Sequence, residues 1–188
     1  MARLLKILFP LCVFTFLFSA CQSKSEKTEG IAAGTSATDK KIQEAWSSSG
    51  LTVQKITLSP ANVLRNVAWG QSMESLPEKL ELSENQPPSG KSYTLYLDSS
   101  DLNFADITYI PDEKNNVKAI NIDVFLEENE QVKTLIKEFQ TYFNVKMGPS
   151  SLQGTKTQWG PNQQTRVTLE DVSTAKDPGI KLIFEQVP

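Results

Sequence analysis

Residues 117–148 read VKAINIDVFLEENEQVKTLIKEFQTYFNVKMG, and this stretch decides the fold. In its first part Ile120, Ile122, Val124 and Leu126 alternate with polar positions such as Asn121 and Asp123. Successive side chains of an extended chain point to opposite faces, so four aliphatics share one face. That is the pattern of a half-buried strand. In the second part the period changes. Val132, Leu135, Ile136, Phe139 and Phe143 recur three or four residues apart, which makes one stripe on a helix. Asn129 is the expected N-cap, the helix runs from Glu130 to Met147, and Gly148-Pro149 is its stop. A strand with one apolar face and a helix with one apolar stripe cover each other.

Outward from this centre the alternation continues. Tyr93, Leu95 and Leu97 alternate with Thr94 and Tyr96, and Ala105, Ile107 and Tyr109 alternate with Asp106 and Thr108. The run from Pro111 to Asn116 is a turn. On the C-terminal side, Val167 and Leu169 mark a strand reached through a turn at Gly160-Pro161-Asn162. Ile180–Val187 is another, after Asp177-Pro178-Gly179. On the N-terminal side, Asp39 caps a short helix holding Ile42, Ala45 and Trp46, which Ser47-Ser48-Ser49-Gly50 ends. Leu51, Val53, Ile56 and Leu58 predict an extended segment ending at Pro60, and Val63, Leu64 and Val67 a further helical turn. Ser72 caps a short helix with Glu74 in its first turn, limited by Pro77. Asn85–Gly90 is a loop. The expected fold is α+β: an antiparallel sheet of about four to six strands with a long helix on one face, plus short N-terminal helices. It occupies one globular domain, residues 39–188.

Composition narrows the chemistry. The chain has 188 residues, no His, two Cys and 19 basic against 22 acidic side chains. Without His there is no Ser-His-Asp or Cys-His site, no His-ligated zinc and no imidazole switch. A net charge of −3 argues against nucleic acid as a partner.

The first residues form a leader. Arg3 and Lys6 precede an apolar run of 12 residues, Ile7–Phe18, and the small residues Ser19-Ala20 stand before Cys21. The run is too short for a helix across about 30 Å of hydrocarbon, which takes about 20 residues, but it suits a signal-peptide core. Leu17-Phe18-Ser19-Ala20-Cys21 resembles a bacterial lipobox, with Leu one position earlier than usual. The resemblance implies cleavage between Ala20 and Cys21 and a lipid on the Cys21 thiol. Gln22 in place of Asp implies sorting to the outer membrane in a Gram-negative cell. An ordinary secretory leader and an uncleaved anchor are the competing readings. Removal of residues 1–20 takes Arg3, Lys6 and Cys12, leaving five more acidic than basic side chains and Cys21 as the only thiol. No intramolecular disulfide is then available. Residues 22–38, QSKSEKTEGIAAGTSAT, hold one large aliphatic and no aromatic, so with Cys21 they read as a lipidated, flexible tether, residues 21–38.

The layout of the folded part also resembles small envelope lipoproteins of the outer-membrane-assembly and β-lactamase-inhibitor-like types. The matching residues are Trp69-Gly70-Gln71-Ser72, the helix from Glu130 to Met147, and Gly148. The insert between Leu76 and Tyr93 departs from that pattern. The resemblance implies a role in binding proteins rather than in catalysis.

Catalytic and ligand motifs are fragmentary. Gly70-x-Ser72 lacks the second Gly of a nucleophile elbow. Asp98-Ser99-Ser100-Asp101-Leu102-Asn103 offers oxygens for calcium but lacks the Gly and terminal Glu of an EF-hand loop, so a solvated turn is expected. Gly154-Thr155-Lys156 lacks the upstream Gly of a phosphate loop. Asp106, Asp123, Glu127 and Glu128 are the acids from which a carboxylate pair would have to come. Trp46, Trp69, Trp159, Tyr93, Tyr96, Tyr109 and Tyr142 are core or contact aromatics. Tyr96 stands out because it lies opposite Leu95 and Leu97, on the face expected to be wet. The expectation is a non-catalytic, lipid-anchored envelope protein, without cofactor or metal, that binds a protein or an envelope polymer. A carrier of an apolar ligand and a carboxylate-based glycan hydrolase are the alternatives.

Overall fold

Strand β4, Val117–Phe125, carries the alternation into three dimensions: Ile120, Ile122 and Val124 are buried, and Asn121 and Asp123 lie on the opposite face. The computed structural model describes residues 36–188. In chain order they form helices α1 (Ala37–Ser48) and α2 (Leu51–Thr57), a 3-10 turn (Met73–Ser75), and strands β1 (Glu81–Leu82), β2 (Lys91–Tyr96), β3 (Phe104–Pro111) and β4. Helix α3 (Asn129–Met147) and strands β5 (Ser151–Gln153), β6 (Lys156–Asn162), β7 (Thr165–Asp171) and β8 (Gly179–Gln186) complete the chain. The fold is α+β, as expected. The sheet has eight strands rather than four to six, all antiparallel, in the order β1-β2-β3-β4-β8-β7-β6-β5. Two four-stranded meanders therefore meet at β4 and β8.

Registration aligns the apolar positions into rows. Tyr93, Ile107, Ile122, Leu182 and Leu169 are successive cross-strand partners, and so are Tyr109, Ile120, Phe184, Val167 and Trp159. All ten are buried. Helix α3 lies over β6, β7 and β8. Its stripe buries Val132, Leu135, Phe139 and Phe143, with Ile136 at the margin, and adds Tyr142. Phe143 is the hub: its ring lies 5.6 Å from Phe139, 5.1 Å from Tyr142, 5.3 Å from Trp159 and 5.8 Å from Phe184, centroid to centroid. The Tyr142 hydroxyl is buried there without a hydrogen-bond partner. A buried hydroxyl that gives up water and gains nothing is unfavourable. Tyr142→Phe is therefore expected to raise stability by about 0.5–1.5 kcal/mol, read as a higher urea midpoint at unchanged slope.

Several local expectations are corrected. Helix α1 starts earlier: Ser36 is the N-cap, and Asp39 is the third helical residue, closing a reciprocal box with Ser36 at 3.0 and 3.1 Å. Residues 36–38 thus belong to the folded part rather than to the tether. Leu51–Thr57 is helical, not extended, because Val53 and Ile56 fall one turn apart and bury together. The Thr57 hydroxyl donates to the Val53 carbonyl at 2.7 Å and accepts the Trp46 indole N–H at 2.8 Å, tying α2 to α1. Leu64–Val67 is a tight turn rather than a helical one, with Arg65 and Asn66 at φ 48° and 63°. The helix at Ser72 is a single 3-10 turn. Glu128, not Asn129, is the N-cap of α3, and its N–H donates to Gln131 Oε1 at 3.0 Å. Gly160-Pro161-Asn162 lies within β6, and the turn into β7 is made by Gln163 and Gln164, at φ 48° and 62°.

The segment between α2 and β2 contributes Leu64, Val67 and Met73 to the core. A buried ion pair pins it. Arg65 donates to both Glu78 oxygens, at 2.7 and 3.1 Å, and to the Lys55 carbonyl at 2.7 Å. The Tyr109 hydroxyl donates to Glu78 at 3.2 Å. Where the segment enters β2, Gly90 has φ 108°, and a Cβ there would collide with the Tyr109 carbonyl. Among the described residues no helix is long and apolar enough to cross a membrane.

Candidate functional site

The helices cover one face of the sheet, and on the other the residues between the buried rows are mostly polar, with Ser92 and Thr168 buried among them. Their composition changes along the strands. One row runs Glu81, Thr94, Asp106, Asp123, Lys181, Glu170, Lys156 as successive cross-strand partners. Asp123 pairs with Lys181 at 2.9 Å, and Glu170 with Lys156 at 3.1 Å. The neighbouring row includes Ser92, Thr108, Asn121, Ile183, Thr168 and Gln158, and the Thr108 hydroxyl donates to Ser92 at 3.0 Å. This is an ordinary wetted face.

At the end of β2 the character is different. Tyr96 pairs with Phe104, Phe104 with Phe125, and Phe125 with Gly179. Three aromatics therefore stand side by side where polar residues are the rule, and a residue without a side chain ends their row. Phe104 and Phe125 stack at 4.7 Å with 24° between ring planes. Tyr96 is 52% exposed and Phe125 38%. The loop from β2 to β3 is held rigidly beside them. Asn103, itself buried, donates to Asp98 at 2.8 Å and accepts the Glu127 N–H at 2.9 Å. This fixes Phe104 against the end of β4.

The aromatics floor a cleft of about 430 Å³ that is also lined by Glu81, Leu82, Glu84, Asp101 and Asp106. Thr94 donates to Asp106 at 2.6 Å and so orients that carboxylate. The volume is that of a small-ligand pocket, and the lining is mostly polar. Among the described residues no three acids or thiols are placed to hold a metal ion.

Of the aromatics singled out in the sequence, Tyr96 alone is exposed. Tyr93, Tyr109, Tyr142 and Trp159 are core residues. All three indole N–H groups are satisfied: Trp46 by Thr57, Trp69 by Thr165 at 2.9 Å, and Trp159 by Asn144 at 2.8 Å. Phe104 and Phe125 were not marked by sequence, because nothing but strand register brings them to Tyr96. Of the other motifs, Asp98 accepts the Ser100 N–H and the Asn103 amide in a turn, and Ser72 caps the 3-10 turn. Gly154 sits in the turn between β5 and β6. Asp106 and Asp123 are direct cross-strand partners, while Glu127 and Glu128 lie at the approach to α3. Ala20 and Cys21 lie outside the described residues.

A second cleft, of about 410 Å³, opens on the helix side under residues 60–69, where Trp69, Phe143, Val167 and Phe184 meet Lys146. The Lys146 ammonium donates to the Asn62 carbonyl at 3.1 Å and lies 5.8 Å from the Tyr142 ring centre. Burial pushes its pKa down to about 8.

The chain matches no family model, no curated protein and no solved structure.

Proposed function

We propose that this chain is a lipoprotein of a bacterial cell envelope, cleaved between Ala20 and Cys21 and anchored through lipid on Cys21. Its α+β domain binds another protein or an envelope polymer on the extracytoplasmic side and carries out no catalysis. Gln22 favours the outer membrane as its site. The ordered leader, with Arg3 and Lys6 before the apolar run and Ser19-Ala20 before Cys21, supports the anchor. One acyl chain holds only marginally, so two or three are expected. The aromatic row Tyr96–Phe104–Phe125, exposed on the helix-free face, carries the binding reading. Rigid aromatics left at the surface are what interface centres are made of.

Two measurements test this. Mass spectrometry of the cell-derived protein should find residue 21 at the N-terminus carrying diacylglyceryl, and an unmodified thiol or an intact leader overturns the anchor. A photo-crosslinker at position 96 should give a discrete adduct in intact cells, and one at Lys133, exposed on α3, should not. Equal yields at both positions, or none at either, overturn the docking face.

A second reading, an anchored carrier of an apolar ligand, is favoured by the cleft beneath residues 60–69. Delipidation of the purified chain followed by mass spectrometry of the extract decides it, since a carrier releases a stoichiometric apolar compound.

A further inference from the structure

We infer that the aromatic cleft takes a cationic side chain, arginine or lysine, presented by a basic segment of a partner polypeptide. The inference rests on the docking reading above and adds the chemistry of the guest. Its floor is Tyr96, Phe104 and Phe125, whose ring faces carry the negative lobe of the aromatic quadrupole. A guanidinium or ammonium laid on such a face is attracted to it, most strongly once water is displaced. The walls add full charges. Glu81, Glu84, Asp101 and Asp106 line the cleft, and no Lys or Arg does among the described lining residues.

The contrast along one cross-strand row is the telling feature. Asp123 has Lys181 and Glu170 has Lys156, so two acids of this row are paired within the chain. Where the row enters the cleft, Asp106 and Glu81 have no cationic partner among the described residues. Asp106 is held by Thr94 through one oxygen, and its other oxygen receives no hydrogen bond from the described residues. Four acids beside exposed aromatics, with no cation among the lining residues, favour a guest that brings positive charge. The acids do not converge as metal ligands do, which favours a broad organic cation over a bare ion. A guanidinium on its flexible stem can lie on an aromatic ring while its N–H groups meet a neighbouring carboxylate. An amino group on a sugar ring is a point charge without that planar fork, so a polypeptide is preferred to an aminoglycan.

The test uses the full chain purified in non-ionic detergent and fluorescent peptides of equal length. They alternate Gly with Arg, Lys or Glu, and an oligomer of glucosamine serves as the polymer probe. Anisotropy should show binding of the Arg peptide, weaker binding of the Lys peptide, and none of the Glu peptide or the oligosaccharide. Affinity should fall as salt is raised. The E81Q/E84Q/D101N variant should lose about ten-fold in affinity and most of the salt dependence, while Glu113→Gln, on the distant β3–β4 turn, should change neither. Tyr96→Ala with Phe125→Ala should weaken the Arg peptide as well. Unchanged affinity in the triple variant, or tighter binding of the glucosamine oligomer, overturns the inference. If the Arg peptide does not bind but the crosslinker at position 96 still gives its adduct, the docking face stands and the cationic guest is wrong. If both fail, both readings are overturned.

Discussion

Glu78→Ala should lower the free energy of unfolding by about 3–5 kcal/mol, one of the largest effects of any single change in this chain. The cause is what remains. Arg65 and Glu78 are 4% and 5% exposed, and removing the carboxylate strands a guanidinium whose other acceptors are the carbonyls of Lys55 and Ile56. The variant also orphans the Tyr109 hydroxyl. Replacing both partners by Met and Leu should recover most of the loss, because it removes the stranded charge. The pair also sets a pH dependence. Burial pushes the Glu78 carboxyl up, but the Arg65 guanidinium, the Lys79 N–H and the Tyr109 hydroxyl together outweigh it and hold the group below the ordinary carboxylate range. A depressed carboxyl stabilises the fold fully above its unfolded value, and that stabilisation is lost as pH falls through the lower folded value. Acid unfolding followed by circular dichroism should therefore show a steeper loss in the wild type than in Glu78→Gln over that window. Parallel curves would mean that the pair does not govern acid stability.

Phe143→Ala should cost about 3–5 kcal/mol, measured by urea unfolding. The ring touches aromatics from its own helix, from β6 and from β8. Because α3 lies over β6, β7 and β8, a hole at this point loosens the main contact between helix and sheet. Phe143→Leu should cost markedly less, since it keeps much of the volume. If alanine and leucine cost the same, the aromatic cluster is not the seat of that contact.

The centre of the fold was legible in the sequence because the two halves of residues 117–148 each obey one period strongly. Ile120, Ile122 and Val124 cannot share a face except as a strand, and Val132 to Phe143 cannot share one except as a helix. What was missed obeys no period. In β5 all of Ser151, Leu152 and Gln153 are exposed, and in β6 Trp159 is the one fully buried side chain. Such strands are specified by the backbone ladders of their neighbours rather than by their own side chains. Gly160-Pro161 reads as a turn, yet it lies within β6, and the β6–β7 ladder bulges around it. Leu51 and Val53 mimic alternation, and it is Thr57, bonded to Val53 and Trp46, that belongs to a helix. At the candidate site Tyr96 could be read as wet from its own strand. Phe104 and Phe125 could not, because a row across three strands exists only once register is known.

The meeting of the two meanders at β4 and β8 has a consequence for how the protein is made. Synthesis runs from the N-terminus, and β8 emerges after every other described strand. Until it does, β4 presents a long apolar ribbon edge with nothing to pair it, the state in which nascent sheets misassociate. A chain cut just before Gly179, and so lacking β8, should therefore be not a weakened product but an insoluble one.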